Sequence, residues 1–467
     1  MLSNIVNFVS DALYSYVLVI LLVLGGVYFT VRTRFAQFRL IGQQVKSVTE
    51  KSGGSGVSSF QALMVSTASR VGTGNIIGVA TALCLGGFGS VFWMWVIAII
   101  GASSAFVEST LAQIYKKRGK DGCYGGPAYY IEAATKKRWL AVAFSVFLIL
   151  TYGFGFNMLA SYNLQSTFSS YSFYNSDYTP WIIGFVIAAL VCYCLIGGGG
   201  RIVAVTSFLV PVMGAIYIIV AVIITFVNAK ALPWMLKEIF VGAFDVKAIF
   251  GGFSGSCVMY GIKRGLFSNE AGVGSAPNAS ASAEVSHPAK QGLVQVLSVF
   301  IDTLLVCSAT AFMCMSSGVT PPATSDGAAA YVQESLTSSI GAIGPIFITV
   351  AMILFSFTTL LGNLYYVDRT FDYLFGRAPS RIFKNISYVI ASLVIFIGAG
   401  LSADLLWGIA DITMGAMALI NMPIILYLGK YAVRALCDYE KKLKSGKEIT
   451  FNKNDIGLPH DTDYWND

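Results

Sequence analysis

The sequence predicts an all-α integral membrane protein of about eleven transmembrane helices, and three observations carry that prediction. First, 55% of its residues are hydrophobic and only 12% are charged. Soluble globular chains carry about 25% charge, and a soluble surface for 467 residues needs more charge than this chain has. Second, the apolar residues fall in runs of about 20, the length that crosses a bilayer core. Third, basic residues collect in alternate gaps between those runs, the pattern of cytoplasmic loops.

Spans are expected near Tyr14–Val31, Val57–Leu85, Ser90–Tyr115, Trp139–Phe168, Pro180–Ile196, Val203–Val227, Ala248–Ala281, Leu293–Ser316, Gly341–Leu361, Ile386–Ala399 and Asp404–Leu428. The gap after the first span holds Arg32, Arg34, Arg39, Lys46 and Lys51, and the gap after the third holds Lys116, Lys117, Arg118, Lys120, Lys136, Lys137 and Arg138. Arg369, Arg377, Arg381 and Lys384 follow the ninth, and the tail is basic from Lys430 onward. The opposite loops hold only Lys230, Lys237 and Lys247. The N-terminus is therefore expected outside and the C-terminus in the cytoplasm. The net charge of +7 is an orientation signal, and no nucleic-acid partner is expected. The eight cysteines lie mostly in apolar runs, where they act as small packing residues. Cys192 and Cys194 point to different helix faces, and with only two histidines a histidine-based metal site is not expected.

Two spans read poorly as continuous helices. The second contains Ser69-Arg70-Val71-Gly72-Thr73-Gly74-Asn75, and the seventh contains Gly251-Gly252-Phe253-Ser254-Gly255-Ser256 followed by Gly261-Ile262-Lys263-Arg264-Gly265. Glycine disfavours helix interiors, and charge at membrane depth is costly. Irregular backbone survives there only where it is buried in protein or lines a cavity. With the first span set aside, these segments open two halves of about five spans each, with opposite topology. That is the inverted-repeat plan of many secondary transporters. The expected units are 1–56 (an additional helix and cytoplasmic loop), 57–227 and 228–432 (the two halves) and 433–467 (a cytoplasmic tail). A broken helix frees N–H groups for a carboxylate and carbonyls for a cation, and Thr73, Gly74 and Asn75 are assigned to the carboxylate end. The competing reading is that these glycines serve tight helix crossing. Phe253 and Cys257, one turn apart, are candidates for the apolar side of the pocket. Glu270 is expected to pair with Lys263 and Arg264, with Arg70 in the same set of gate charges.

Three motifs carry a resemblance to a known family: Gly72-Thr73-Gly74-Asn75-Ile76-Ile77-Gly78-Val79-Ala80, then Gly86-Gly87-Phe88-Gly89-Ser90-Val91-Phe92-Trp93-Met94-Trp95 with Gly101, and Lys263-Arg264-Gly265-Leu266-Phe267-Ser268-Asn269-Glu270-Ala271-Gly272-Val273-Gly274-Ser275-Ala276-Pro277. On them the chain resembles the alanine or glycine:cation symporter family, within the LeuT-like amino acid transporter superfamily. The resemblance implies a LeuT-like fold in a bacterial inner membrane. It also implies a monomer that imports a small neutral amino acid, such as alanine or glycine, with Na⁺ or in some members H⁺. It places a sodium ion among the carbonyls of Ala68, Val71 and Phe355 and the hydroxyls of Thr358 and Thr359. Asn157 and Asn363 would face the substrate. Where many relatives carry N-x-x-Q-x-N, this chain has Asn157, Ala160 and Tyr162, so the pocket gains space at Ala160 and serine or glutamine becomes a further candidate. An ion channel needs several filter copies around one axis. An intramembrane enzyme needs a nucleophile or metal constellation. The sequence offers neither.

Overall fold

The computed structural model describes residues 2–50, 56–119, 122–244, 256–458 and 462–465. Its principal helices are α1 (Ile5–Arg32), α2 (Ile41–Thr49), α3 (Ser59–Arg70), α4 (Gly74–Gly86), α5 (Ser90–Ile114), α6 (Pro127–Thr135), α7 (Arg138–Ser166), α8 (Thr179–Leu195), α9 (Gly198–Val227), α10 (Leu232–Ala243), α11 (Cys257–Asn269), α12 (Pro288–Ser316), α13 (Ala328–Ile340), α14 (Ile343–Phe375), α15 (Arg381–Gly398) and α16 (Ala403–Ser445). Eight of them are long and apolar enough to cross a membrane, and α4 and α8 are shorter apolar helices. The only strands among the described residues are Lys117–Gly119 and Gly122–Tyr124, a small antiparallel pair.

Burial divides the helices into an inner and an outer set. α3, α4 and α11 are buried almost throughout, whereas α8, α9 and α15 turn large apolar residues such as Phe185, Phe208, Phe226 and Ile382 outward. With no water in a bilayer core, such faces meet lipid at no cost, and polar residues retreat to the interior.

The first expected break is present. Ser58 caps α3 in a capping box with Gln61, and the helix ends at Arg70. Val71 leaves helical geometry at φ −76°, ψ 87°, and a wide π turn, Gly74–Gly78, opens α4. π turns recur in α1 at Leu13–Leu18, in α7 at Ile149–Gly155 and in α12 at Phe300–Cys307. Such turns often mark functional positions.

The first part of the second expected break, residues 251–255 with Phe253, lies outside the described residues. Ser256 starts α11 afresh, its hydroxyl accepting the Met259 N–H at 3.3 Å. The helix then runs unbroken through Gly261-Ile262-Lys263-Arg264-Gly265. These glycines serve close packing on α5. A Cβ on Gly261 would lie 2.5 Å from the Ser90 carbonyl, and one on Gly265 would lie 2.6 Å from Ile97. The chain departs from the helix at Glu270, whose φ is +53°, and turns through Gly272 (φ +84°) and Gly274 (φ +91°). A further departure from helical geometry thus lies at Glu270–Ser275, after the Lys-Arg pair.

Two helices outrun their expected spans. α14 continues to Phe375 because Asp368 accepts the Tyr388 hydroxyl at 2.9 Å and Arg369 pairs with Asp372, so charge is accommodated without ending the helix. α16 has 43 residues, about 64 Å at 1.5 Å per residue, and projects well past the bilayer core. The tail folds back on its end. Arg434 donates to the Ile456 carbonyl, and the Trp465 indole donates to the Gln113 carbonyl at 2.8 Å.

Candidate functional site

The break between α3 and α4 organises the centre of the molecule. Asn75 Oδ1 accepts the Gly72 N–H at 2.8 Å, so the loop is closed by its own side chain. The Asn75 amide donates to Asp302 Oδ1 at 2.7 Å, and Asp302 also accepts the hydroxyls of Ser268 (2.6 Å) and Thr303 (2.8 Å). Fully buried, this carboxylate ties α4, α11 and α12 together at the break. Its oxygens are well supplied with donors, which is what a buried charge requires.

A second polar chain runs along α7, α14 and α3. Asn363 donates to Asn157 Oδ1 at 3.0 Å, and Ser69 donates to Asn363 Oδ1 at 2.7 Å. Ser69 also reaches Glu270 at 3.3 Å, and Glu270 accepts the Ser275 hydroxyl at 2.6 Å. This chain connects the break after Arg70 to the turn at Glu270. Asn157 and Asn363 are therefore brought together, and both are fully buried. Ala160 is buried one turn on, its carbonyl taken by the Ser356 hydroxyl.

The expected sodium ligands converge in part. Thr359 Oγ1 lies 3.1 Å from the Ala68 carbonyl across the α3–α14 contact, and Thr358 Oγ1 lies 3.1 Å from the Phe355 carbonyl. Gly72 abuts Thr359 so closely that any side chain there would strike its hydroxyl. Thr358 also sits 3.5 Å from the Met213 sulfur of α9. Carbonyl and hydroxyl oxygens on a broken helix and its neighbour suit a small hard cation.

Above the break lies a layer of rings. The Phe267 ring covers Gly74, and a Cβ at Gly74 would approach it to 2.6 Å. Phe267 packs on Phe156 (centroids 4.5 Å) and Trp407 (4.8 Å). Trp407 in turn carries the Arg264 guanidinium at 4.0 Å, and Arg264 and Lys263 both bond Asp411 at 2.9 and 3.0 Å. Lys263 also reaches Asp11 in α1 at 3.3 Å.

One expectation needs correction. Glu270 does not pair with Lys263 and Arg264. Those cations belong to Asp411, on the side where the chain begins, while Glu270 lies past the end of α11 among hydroxyls. Cys257, at the start of α11, contacts the Gly242 carbonyl of α10 at 3.3 Å, and the α11 residue over Gly74 is Phe267, ten positions later. Arg70 is buried and donates to Gln295 Oε1 at 2.9 Å. The central residues that sequence reasoning missed are Ser69, Asn163, Ser268, Phe267 and Trp407. Phe267 and Ser268 sit in the third motif. Their roles depend on contacts between distant helices and have no local signal.

The comparisons decide the family. The model of the sodium:alanine symporter family matches residues 1–453. This chain belongs to that family. The symporter is 40% identical to the amino-acid carrier protein AlsT of Bacillus subtilis, over 100% of this chain and 98% of that one. It is also 40% identical to the probable sodium/glutamine symporter GlnT of the same organism (99% and 96%) and 35% identical to the sodium/alanine symporter AgcS of Methanococcus maripaludis (92% and 95%). Among solved structures, it is similar to MhsT in complex with L-phenylalanine, with a TM-score of 0.58 at 16% identity over 83% of this chain and 93% of that one. A Na⁺-coupled sialic acid symporter matches with a TM-score of 0.50 at 14% identity, over 93% and 86%. The fold is thus LeuT-like, and the symporter is a multi-pass membrane protein and not an enzyme.

Proposed function

We propose that this symporter imports a small neutral amino acid with Na⁺ by alternating access. The observation that carries the reading is the meeting of the α3 break with α14, where the Thr359 hydroxyl and the Ala68 carbonyl face each other at 3.1 Å beside Gly72. A cation drawn into these oxygens would hold the broken helix against α14. The break would then present the Thr73 and Gly74 N–H groups to the substrate carboxylate. Binding of each partner would favour binding of the other, as coupling requires.

Alanine, glycine, serine and glutamine are the proposed substrate set. The relatives named for alanine and glutamine support it, as does the small side chain at Ala160. The basic loops favour a bacterial inner membrane, with the N-terminus outside and the tail in the cytoplasm. We read the chain as two halves, 57–227 and 228–432, preceded by an additional helix and followed by a tail, and as a monomer. H⁺ is the second reading for the coupling ion. Glu108, Glu270 and Asp302 are fully buried carboxylates, and a Bacillus subtilis relative at 39% identity is named a putative sodium/proton-dependent alanine carrier.

The test is uptake of labelled alanine, glycine, serine and glutamine into proteoliposomes, with and without a Na⁺ gradient and then with a pH gradient alone. Na⁺-driven uptake of at least one is expected. Failure of all four under every gradient overturns the reading, and uptake that follows pH and ignores Na⁺ transfers it to H⁺.

A further inference from the structure

Four carboxamide side chains surround the break between α3 and α4: Asn75, Asn157, Asn163 and Asn363. Three have their oxygens committed. Asn75 Oδ1 holds the Gly72 N–H, Asn157 Oδ1 holds the Asn363 amide and Asn363 Oδ1 holds the Ser69 hydroxyl. Asn163 differs. Its amide donates to Thr73 Oγ1 at 3.2 Å, which fixes the side chain against the break. Its Oδ1 is buried and accepts no hydrogen bond, in a residue with no solvent exposure. A buried acceptor left open costs roughly 1–3 kcal/mol, and native proteins carry such a group where a ligand completes it.

We propose that Asn163 is a substrate-positioning residue whose Oδ1 accepts a hydrogen bond from the ammonium group of the transported amino acid. The inference rests on the amino acid reading above and extends it. A zwitterion has two ends. The N–H groups at Thr73 and Gly74 suit the carboxylate, and the ammonium needs an acceptor within a few ångströms of them. The carboxylates near the break are already occupied. Asp302 accepts from Asn75, Ser268 and Thr303, and Glu270 accepts from Ser275. Asn163 adjoins Thr73 itself. As a neutral acceptor it holds the ammonium without adding a charge that would trap it, so release stays fast.

The experiment uses the full-length symporter in proteoliposomes and whichever of the four amino acids the wild type transports. If the wild type transports none, the amino acid reading has failed and Asn163 is not at issue. Taking alanine as the case, N163A should raise KM about 10- to 100-fold, the range of a hydrogen bond to a charged group. Inhibition by propionate, which lacks the ammonium, should stay unchanged. Inhibition by ethylamine, which keeps it, should weaken with KM. N163D restores an acceptor and should recover part of the affinity. Stabilisation of N163A by Na⁺ against heat should persist, which separates binding from folding. The proposal is overturned if KM is unchanged, if propionate weakens in proportion to alanine, or if Na⁺ no longer stabilises the variant.

Discussion

Thr359 Oγ1 stands 3.1 Å from the Ala68 carbonyl, joining the last turns of α3 to the middle of α14. The proposed coupling between ion and substrate rests on this contact between α14 and the helix that ends at the break.

Thr359→Val keeps the shape of the side chain and removes the oxygen. The Na⁺ concentration for half-maximal uptake should rise at least about tenfold, about 1.4 kcal/mol in ion binding, while the amount of protein in the membrane stays the same. A Na⁺ dependence like that of the wild type would show that Thr359 only packs the two helices.

Thr73 already has φ −61°, the angle that a proline ring enforces. Thr73→Pro therefore deletes one N–H with little change in its own backbone angle. Uptake should fall about 100-fold or more while the protein remains in the membrane, since a carboxylate hydrogen bond is charge-assisted. Normal uptake would remove the carboxylate from this turn.

Gly74 lies under the Phe267 ring, so Gly74→Ala must displace it. Uptake should be lost in Gly74→Ala and return in part when Phe267→Leu is added. The pair of variants tests whether the ring layer of Phe156, Phe267 and Trp407 must keep its place. Equal loss with and without the second change would count against it.

Asp411 holds both Arg264 and Lys263, and its side chain is almost wholly buried, whereas that of Asp11 is 41% exposed. Removing one partner from a buried pair costs about 3–5 kcal/mol, while an exposed partner contributes about 0–1 kcal/mol. Asp411→Ala should lower the thermal unfolding temperature in detergent far more than Asp11→Ala. Similar shifts would place the stabilisation at the chain start and not in the Asp411 pair.

His287 sits at the start of α12, its Nδ1 accepting the Ala289 N–H at 3.2 Å and its Nε2 lying 3.1 Å from Asp438 Oδ2. The first contact assigns the proton to Nε2. Burial holds the imidazole below its ordinary range, with the Asp438 contact opposing that shift. The unfolded chain then binds a proton near pH 6.5 that the folded chain takes up only at lower pH. Stability should be constant above about pH 7 and fall as pH drops below about 6.5. Thermal unfolding measured from pH 7.5 to 5.5 checks the direction. His287→Gln should flatten that part of the profile, and an unaltered slope would assign it to other groups.

Several parts of this fold were legible without coordinates. Long apolar runs fixed the helical membrane class because a bilayer leaves the backbone little alternative. Val71-Gly72-Thr73-Gly74 marked the first interruption because two glycines so close together beside a charged residue disfavour a continuous helix at membrane depth. Gly261 and Gly265 do not interrupt α11, because glycine serves both breaks and tight crossings and only the neighbour tells them apart. Gly261 and Gly265 face α5, whereas Gly272 and Gly274 take positive φ. The charged residues followed the same rule. Lys263, Arg264 and Glu270 are close in sequence, but α11 ends between them and sends Glu270 to Ser69 and Ser275.

The sequence by itself determined the membrane class, the first broken helix, the family and most residues around the break, because hydropathy, glycine placement and motif spacing are local properties. Tertiary structure decided which carboxylate meets which cation, which ring covers Gly74 and which asparagine keeps an open oxygen. Those outcomes depend on side chains 90 or more residues apart meeting in a buried space, where each buried polar atom must find a partner among whatever the packing brings near.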